Sequence, residues 1–215
     1  MAKYKRKDGT LVPETDPMHL ITPHMVPNRC DNEAVLTELF DMTAGEAYLA
    51  KKNADGPEFK YTFFHVICAA IAKVLVLRPR MNRFYAGRRL YDRNDILFAF
   101  VVKKKFEDNG AEALAIIKVD KDGEISPVEQ IHGKVKDIVY SVRKENKTEG
   151  TTEKMGILTK LPRGLLRFVM SFLNWLDYHG KYPTALMKDD PYFASVFVSN
   201  LGSIKMHANY HHLVN

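Results

Sequence analysis

The chain has 215 residues, enough for one domain with a substantial core. Its 46% hydrophobic and 27% charged residues are the balance of a globular protein, and they argue against a disordered or membrane-embedded one. The net charge of +6 lies in runs that acids interrupt, Lys3–Lys7, Lys103–Lys105 and Lys134–Lys147. That pattern suits a solvated surface, with help in holding a polyanionic small molecule as its other use. It does not gather cations and base-stacking aromatics on one face, as a nucleic-acid binder would.

The two cysteines, Cys30 and Cys68, supply no disulfide framework, and Cys68 lies in an apolar run as a small buried hydrophobe. The N-terminus is basic but has no apolar segment behind it, so it is not a secretory signal. No stretch approaches the ~20 apolar residues of a membrane span. The expected location is therefore cytoplasmic.

Residues 1–28 carry four prolines and read as an irregular arm. One short helix is expected near Met18–Met25, with Pro17 in its first turn behind Asp16 as cap. Residues 33–42 mix helix and strand formers and suit an extended segment. Thr43 is expected to cap a helix to about Asn53, with Glu46 completing a capping box, and Asp55-Gly56-Pro57 ends it. The next helix, from Tyr61 or Thr62 to Leu77, is apolar on nearly all faces apart from His65 and Lys73. It therefore reads as buried against a sheet, and Pro79 stops it.

From residue 83 the period changes to two. Arg83–Tyr85, Arg89–Tyr91, Ile96–Val102 and Ala111–Val119 read as strands joined by turns at Gly87, Asp92-Arg93-Asn94 and Glu107–Gly110. Ile96–Val102 is apolar on both faces, as a central or doubly covered strand is. After the Lys121-Asp122-Gly123 turn, Pro127–Asn146 has the spacing of an amphipathic helix packed on the core, followed by a polar linker at Lys147–Thr152. Leu161–Tyr178 is a helix with a wide apolar surface. It reads as a core or oligomer-interface helix in preference to a membrane-surface one, because Arg163, Arg167 and Lys181 are too few for the usual cationic face. Gly180 and Pro183 end it. The last strand, Ser195–Ser199, alternates Val196 and Val198 with Ser195, Phe197 and Ser199, and Gly202 closes the run.

The sequence lacks a Gly-x-Gly-x-x-Gly, a Walker loop, a Cys-x-x-Cys, a Gly-x-Ser-x-Gly elbow and a His-Glu-x-x-His. His207 and His211 stand four apart with His212 adjacent, but zinc needs further ligands and a second shell, so no bound metal is expected. His211 or His212 could instead serve as a general base. Ser199, beside Asn200 at a strand end, reads by itself as a hydroxyl bonded to neighbouring backbone more readily than as a functional group.

Several strings in order resemble the chloramphenicol acetyltransferase-like superfamily, and most of all the catalytic domain of dihydrolipoyl acyltransferases of 2-oxoacid dehydrogenase complexes. They are Phe40-Asp41-Met42-Thr43; Thr62–Val76 followed by Arg78-Pro79-Arg80-Met81-Asn82-Arg83-Phe84; Asn94–Val102; and Phe197-Val198-Ser199-Asn200-Leu201-Gly202. The resemblance covers roughly residues 30–215 of a single domain 1–215.

It implies an α/β two-layer sandwich with a mixed sheet covered by helices, forming homotrimers with active sites between subunits. It further implies coenzyme A or acyl-CoA as substrate and a small-molecule thiol or hydroxyl as acyl acceptor, with neither nucleic acid nor membrane as partner. Ser199 would donate a hydrogen bond to the tetrahedral oxyanion, and a histidine in a His-x-x-x-Asp-Gly motif would deprotonate the acceptor. This chain supplies no such motif, so the general base is expected to be none of its residues and the domain C-terminally incomplete. No lipoyl attachment site is present either. Losing a general base generally costs 10²–10⁴-fold in rate. The alternative reading is a non-catalytic oligomerising or ligand-binding module on the same fold.

Overall fold

The computed structural model of the chain describes residues 5–13, 16–28, 33–103, 112–121, 125–144, 161–188 and 190–204. The fold is mixed α/β, with two three-stranded sheets and six α-helices among the described residues.

The first sheet is built from β1 (Gly9–Leu11), β2 (Arg83–Ala86) and β3 (Arg89–Arg93), all antiparallel, in the order β1-β3-β2. The hairpin between β2 and β3 turns at Gly87 and Arg88, both with positive φ (54° and 61°). Gly87 is fixed by sterics as well as by φ. A Cβ there would collide with the Tyr178 carbonyl oxygen, which no side chain can tolerate.

β1 corrects the expectation of an irregular arm. Gly9, Thr10 and Leu11 register against Arg93, Asp92 and Tyr91, so the N-terminal segment is a strand whose partner lies some eighty residues away. The short helix after it, α1 (Pro17–Met25), is as expected: Pro17 opens it, and the Asp16 carboxylate accepts from the Met18 N–H at 2.9 Å.

Residues 33–42 are extended and exposed but belong to no strand. The helix that follows, α2 (Thr43–Lys52), is capped differently from the expectation. Thr43 is its first helical residue, and the Asp41 carboxylate accepts from both the Thr43 N–H (2.9 Å) and hydroxyl (2.6 Å), two residues earlier than a Thr43–Glu46 box.

α3 (Phe63–Leu77) packs Cys68, Ala69, Ala72 and Leu75 into the core. It is not buried all round, because Ile67, Val74, Val76 and Leu77 are exposed. The reason is geometric: one face meets the sheet and α4, and nothing among the described residues covers the other.

The second sheet holds the core. β4 (Ile96–Lys103) is its central strand, antiparallel to β5 (Glu112–Val119) and parallel to β6 (Val196–Val198), so the sheet is mixed. Ile96, Phe98, Phe100 and Val102 of β4 and Ala113, Ala115, Ile117 and Val119 of β5 form one buried face, completed by Val196 and Val198. α4 (Pro127–Lys144) lays Ile131, Val135 and Val142 on it beside α3. That is the face its 3.6-residue apolar spacing prescribes.

α5 (Arg163–Tyr178) is apolar on one side yet has no buried residue; Phe168, Phe172 and Trp175 are half or more exposed. Its C-terminus closes with Gly180 at φ 70°, where Gly180 N–H reaches the Asp177 carbonyl and Lys181 N–H reaches the Leu176 carbonyl. This is a Schellman ending, and it needs the left-handed glycine. A short α6 (Thr184–Met187) and a 3-10 turn at Pro191–Phe193 lead into β6. Among the described residues, no helix is long and apolar enough to cross a membrane.

Candidate active site

β6 is an edge strand, and its parallel pairing with β4 runs Phe98 against Val196, Ala99 against Phe197 and Phe100 against Val198. The strand is tied down at its start. Ser195 N–H donates to the Leu97 carbonyl at 2.8 Å, and the Ser195 hydroxyl accepts from Leu97 N–H at 3.1 Å and donates to the Asp95 carbonyl at 3.4 Å. Asp95 is a shared anchor. Its carbonyl also accepts from Nδ2 of the buried Asn82 at 3.0 Å, and its carboxylate pairs with Lys118 at 2.7 Å. The Asn82 Oδ1 is buried without a hydrogen bond among the described residues. Thus the Pro-x-x-Asn segment that follows α3 positions the beginning of both β4 and β6.

Ser199 emerges at the other end of β6. It is exposed, and its hydroxyl makes no hydrogen bond among the described residues. Of the two serines that bracket the strand, Ser195 therefore performs the backbone-satisfying task and Ser199 does not. Strand alternation places Ser199 on the side of exposed Phe197, whereas Val196 and Val198 point into the core shared with α3 and α4. The Ser199 side is consequently the face of the sheet that these two helices leave open. After Asn200 the chain bends into a 3-10 turn, Leu201–Ile204.

One imidazole pair is assembled that the sequence did not bring together. His65 is only 2% exposed, in the first turn of α3. Its Nδ1 accepts from the Thr62 N–H at 3.0 Å, which leaves the ring proton on Nε2; that atom is buried and has no hydrogen bond among the described residues. His132 of α4 lies beside it with ring centroids 5.1 Å apart, stacked on Tyr61 at 3.8 Å and bonded through Nε2 to the Phe59 carbonyl.

Burial, with a smaller push from His132, drives the His65 pKa down to about 4, so it is a neutral packing group at physiological pH. Both histidines belong to the helical layer, on the opposite face of the sheet from Ser199, and neither is placed to take a proton there. The spacing of four positions between Tyr61 and His65 on a helix start was the only sequence signal for this cluster, and it reads as ordinary core.

Cys68 is fully buried, and burial pushes its thiol up to about 12, which removes it as a nucleophile. Cys30, His207, His211 and His212 lie outside the described residues. Among the described residues, no group of three or more histidine, cysteine or acidic side chains could hold a metal ion.

The sequence reading also missed a buried ion cluster. The Arg6 guanidinium donates to both carboxylate oxygens of Asp8 (2.8 and 3.0 Å), and to the carboxylate and the backbone carbonyl of Asp177 (2.7 Å each). It is stacked near Phe84 and Tyr91, 5.5 and 5.7 Å from the ring centroids. The charged pairs and hydrogen bonds from Asp8 and Asp177 raise its pKa against a desolvation that lowers it. Nothing in a basic N-terminal run announces a contact with a residue 171 positions away.

No family model matches the chain, and no curated protein matches it significantly. Its backbone is similar to the crystal structure of a probable dihydrolipoamide acetyltransferase from Listeria monocytogenes 4b F2365, with 13% sequence identity and a TM-score of 0.43 over 77% of this chain and 51% of that one. The chain spans about half the length of that relative.

Proposed function

We propose that the chain is an acyltransferase-like domain acting on coenzyme A thioesters, with Ser199 as the hydrogen-bond donor to the oxyanion of the tetrahedral intermediate. The observation that carries the reading is the division of labour along β6. Ser195 satisfies the backbone at the start of the strand, while the Ser199 hydroxyl at its end is exposed and uncommitted among the described residues. The Ser-Asn-Leu-Gly string and its ordered companions supply the resemblance that gives this hydroxyl a task.

In chemical terms, a thiolate or alkoxide attacks the thioester carbonyl, and the carbonyl oxygen gains negative charge. The Ser199 O–H donates to that oxygen. The tetrahedral intermediate then collapses with expulsion of the coenzyme A thiolate. A preorganised donor of this kind is worth about 3 kcal/mol in the transition state. By resemblance the acceptor's proton goes to the histidine of a His-x-x-x-Asp-Gly motif, which residues 1–215 do not contain; in this chain it passes to solvent, at a cost of about 10²–10⁴-fold in rate.

On this reading the mixed sheet with α3 and α4 forms a two-layer sandwich, and the chain assembles into homotrimers. The large exposed side chains Leu36, Leu39, Phe40, Phe168 and Trp175 support an assembly, since they are costly to leave in water.

The test is acyl transfer from acetyl-CoA to a panel of thiols and alcohols, with Ser199→Ala beside the parent chain. The expected outcome is a fall in kcat of about 100-fold with little change in KM. Undiminished activity in Ser199→Ala removes the role assigned to the serine.

A second reading is favoured by one observation: neither described histidine near the core, His65 or His132, faces Ser199. On that reading the fold is a non-catalytic module for ligand binding or assembly. Saturable binding of acetyl-CoA by calorimetry, without turnover of any acceptor, supports it.

A further inference from the structure

A cleft of about 1240 Å³ opens between the β2–β3 hairpin, the C-terminal half of α5 and the segment 190–195. Its wall contains Phe84, Arg93, Tyr182, Tyr192 and Phe193. The two arginines at its base are not equivalent. Arg6 is saturated by Asp8 and Asp177, through Nε and both terminal nitrogens.

Arg93, at the end of β3, packs its guanidinium 4.3 Å from the centroid of the Phe84 ring and donates one hydrogen bond, from Nη1 to the Phe193 carbonyl. Among the described residues no carboxylate lies within ion-pair distance of it. Asp8, whose field reaches it, already has both oxygens on Arg6, and Arg6 itself repels it. Desolvation, the largest influence, lowers the Arg93 pKa, which is the signature of a cation held without a counter-charge. A guanidinium has five N–H donors in a planar fork, so most of this one's capacity is unused.

We propose that this cleft is a binding site for a small monocarboxylate with an apolar or aromatic body, its carboxylate meeting the open fork of Arg93. Three observations select that class. The planar fork matches a carboxylate in two parallel hydrogen bonds. Tyr182 and Phe193, with ring centroids 5.0 Å apart, form an apolar wall beside it for the rest of the molecule. The charges lining the cleft set the ligand's charge: Arg6, Arg88 and Arg93 are opposed by Glu33, Asp177 and Asp190.

A polyanion such as a nucleotide or a phosphorylated coenzyme would meet those three carboxylates, whereas a single negative charge answers Arg93, which neither Asp8 nor Asp177 neutralises; Arg88, at the hairpin turn, has His24 Nδ1 beside it at 3.1 Å. Asp190, whose carboxylate accepts from Tyr192 N–H and is pushed up chiefly by burial and then by Asp177, marks the acidic side of the cleft, away from which the ligand's carboxylate is oriented.

The inference stands apart from the acyltransferase reading. Ser195 lines this cleft, but Ser199 is at the far end of β6.

The experiment is calorimetry and thermal shift on the whole chain at pH 7, with 3-phenylpropionate, its uncharged amide 3-phenylpropionamide, and inorganic phosphate as probes. The expected result is saturable binding of the carboxylate and a rise in Tm, with the amide and phosphate weaker by about tenfold or more. Arg93→Gln is expected to lose the same factor and Arg93→Lys to lose less, while Arg88→Gln binds as the parent chain does. Equal binding of the amide, equal binding of phosphate, or loss of binding in Arg88→Gln to the same extent as in Arg93→Gln overturns the assignment. The comparison of acid with amide uses the unmodified chain, so it decides the matter even if Arg93→Gln folds poorly.

Discussion

The two faces of the β4–β5–β6 sheet differ sharply. On one, Phe98 and Ile131 are sealed from solvent between β4, α3 and α4. On the other side of the molecule, α5 buries no residue and Phe168 is 68% exposed, while Ser199 and Phe197 stand open on the edge strand. The first region is held by packing, and its buried imidazole, His65, is neutral at physiological pH. The second is thinly packed and holds the exposed Ser199 hydroxyl and the partly bonded Arg93 guanidinium. Close packing and unused bonding capacity thus fall in different regions of the molecule.

The largest effect separating the two sides is expected from matched truncations. Phe98→Ala removes a fully buried ring from the core and lowers stability by about 3–5 kcal/mol in urea unfolding. Phe168→Ala, on exposed α5, changes it by no more than about 0.5 kcal/mol. A much larger loss at Phe168 would show that another copy of the chain covers α5, and the contrast would then be a property of the isolated subunit.

The second prediction concerns the one strongly ionic anchor. Arg6→Met leaves the Asp8 and Asp177 carboxylates facing each other with their partner gone. The expected loss is about 2–4 kcal/mol, below the full cost for a buried pair because Asp177 is partly solvated. Because Arg6 ties β1 to the end of α5, hydrogen exchange in Gly9–Leu11 should speed up while β4 and β5 stay protected.

Acid tests the helical layer. The folded-state pKa of His65 is about 4 and its ordinary value 6.5, so the unfolded chain binds the proton first. Its contribution to stability is complete above pH 6.5 and is lost as the pH falls towards 4, at up to about 1.4 kcal/mol per pH unit. Urea midpoints measured between pH 7 and 4.5 should fall accordingly. In His65→Gln the same series should be flatter, from a lower starting stability, because the Thr62 N–H loses its acceptor. An unchanged slope would assign the acid sensitivity to other groups.

What could be read from the sequence follows the same division. The alternation in Ile96–Val102, the 3.6-residue spacing of Ile131, Val135 and Val142, and the Gly180 stop are local patterns, and each of the elements formed where those patterns placed it. The cap of α2 lies two residues before the expected one because Asp41 and Thr43 are both good capping residues and only geometry chooses between them. The strand character of Gly9–Leu11, the Arg6–Asp177 contact and the His65–His132 pair were not legible at all. In each, the partner is remote in sequence, and the residue types are those of an ordinary polar arm or helix. Exposure misled in the other direction: the apolar surround of α3 and α5 reads as burial, but a helix can be apolar on faces that the described residues leave uncovered.

The smallest expected effect is the most discriminating. Ser195 and Ser199 flank the same three-residue strand, and removing either hydroxyl deletes one oxygen. Ser195→Ala withdraws the acceptor from Leu97 N–H and the donor from the Asp95 carbonyl, both partly buried, and should lower stability by about 1 kcal/mol. Ser199→Ala withdraws an exposed hydroxyl with no bond among the described residues, and should leave the urea midpoint within error. Acyl transfer should show the reverse order: Ser195→Ala keeps kcat at saturating acetyl-CoA, and Ser199→Ala loses it. A strand that merely needed its ends tied would show both losses in stability and neither in kcat, so crossed responses from two serines four positions apart would separate the structural hydroxyl from the chemical one.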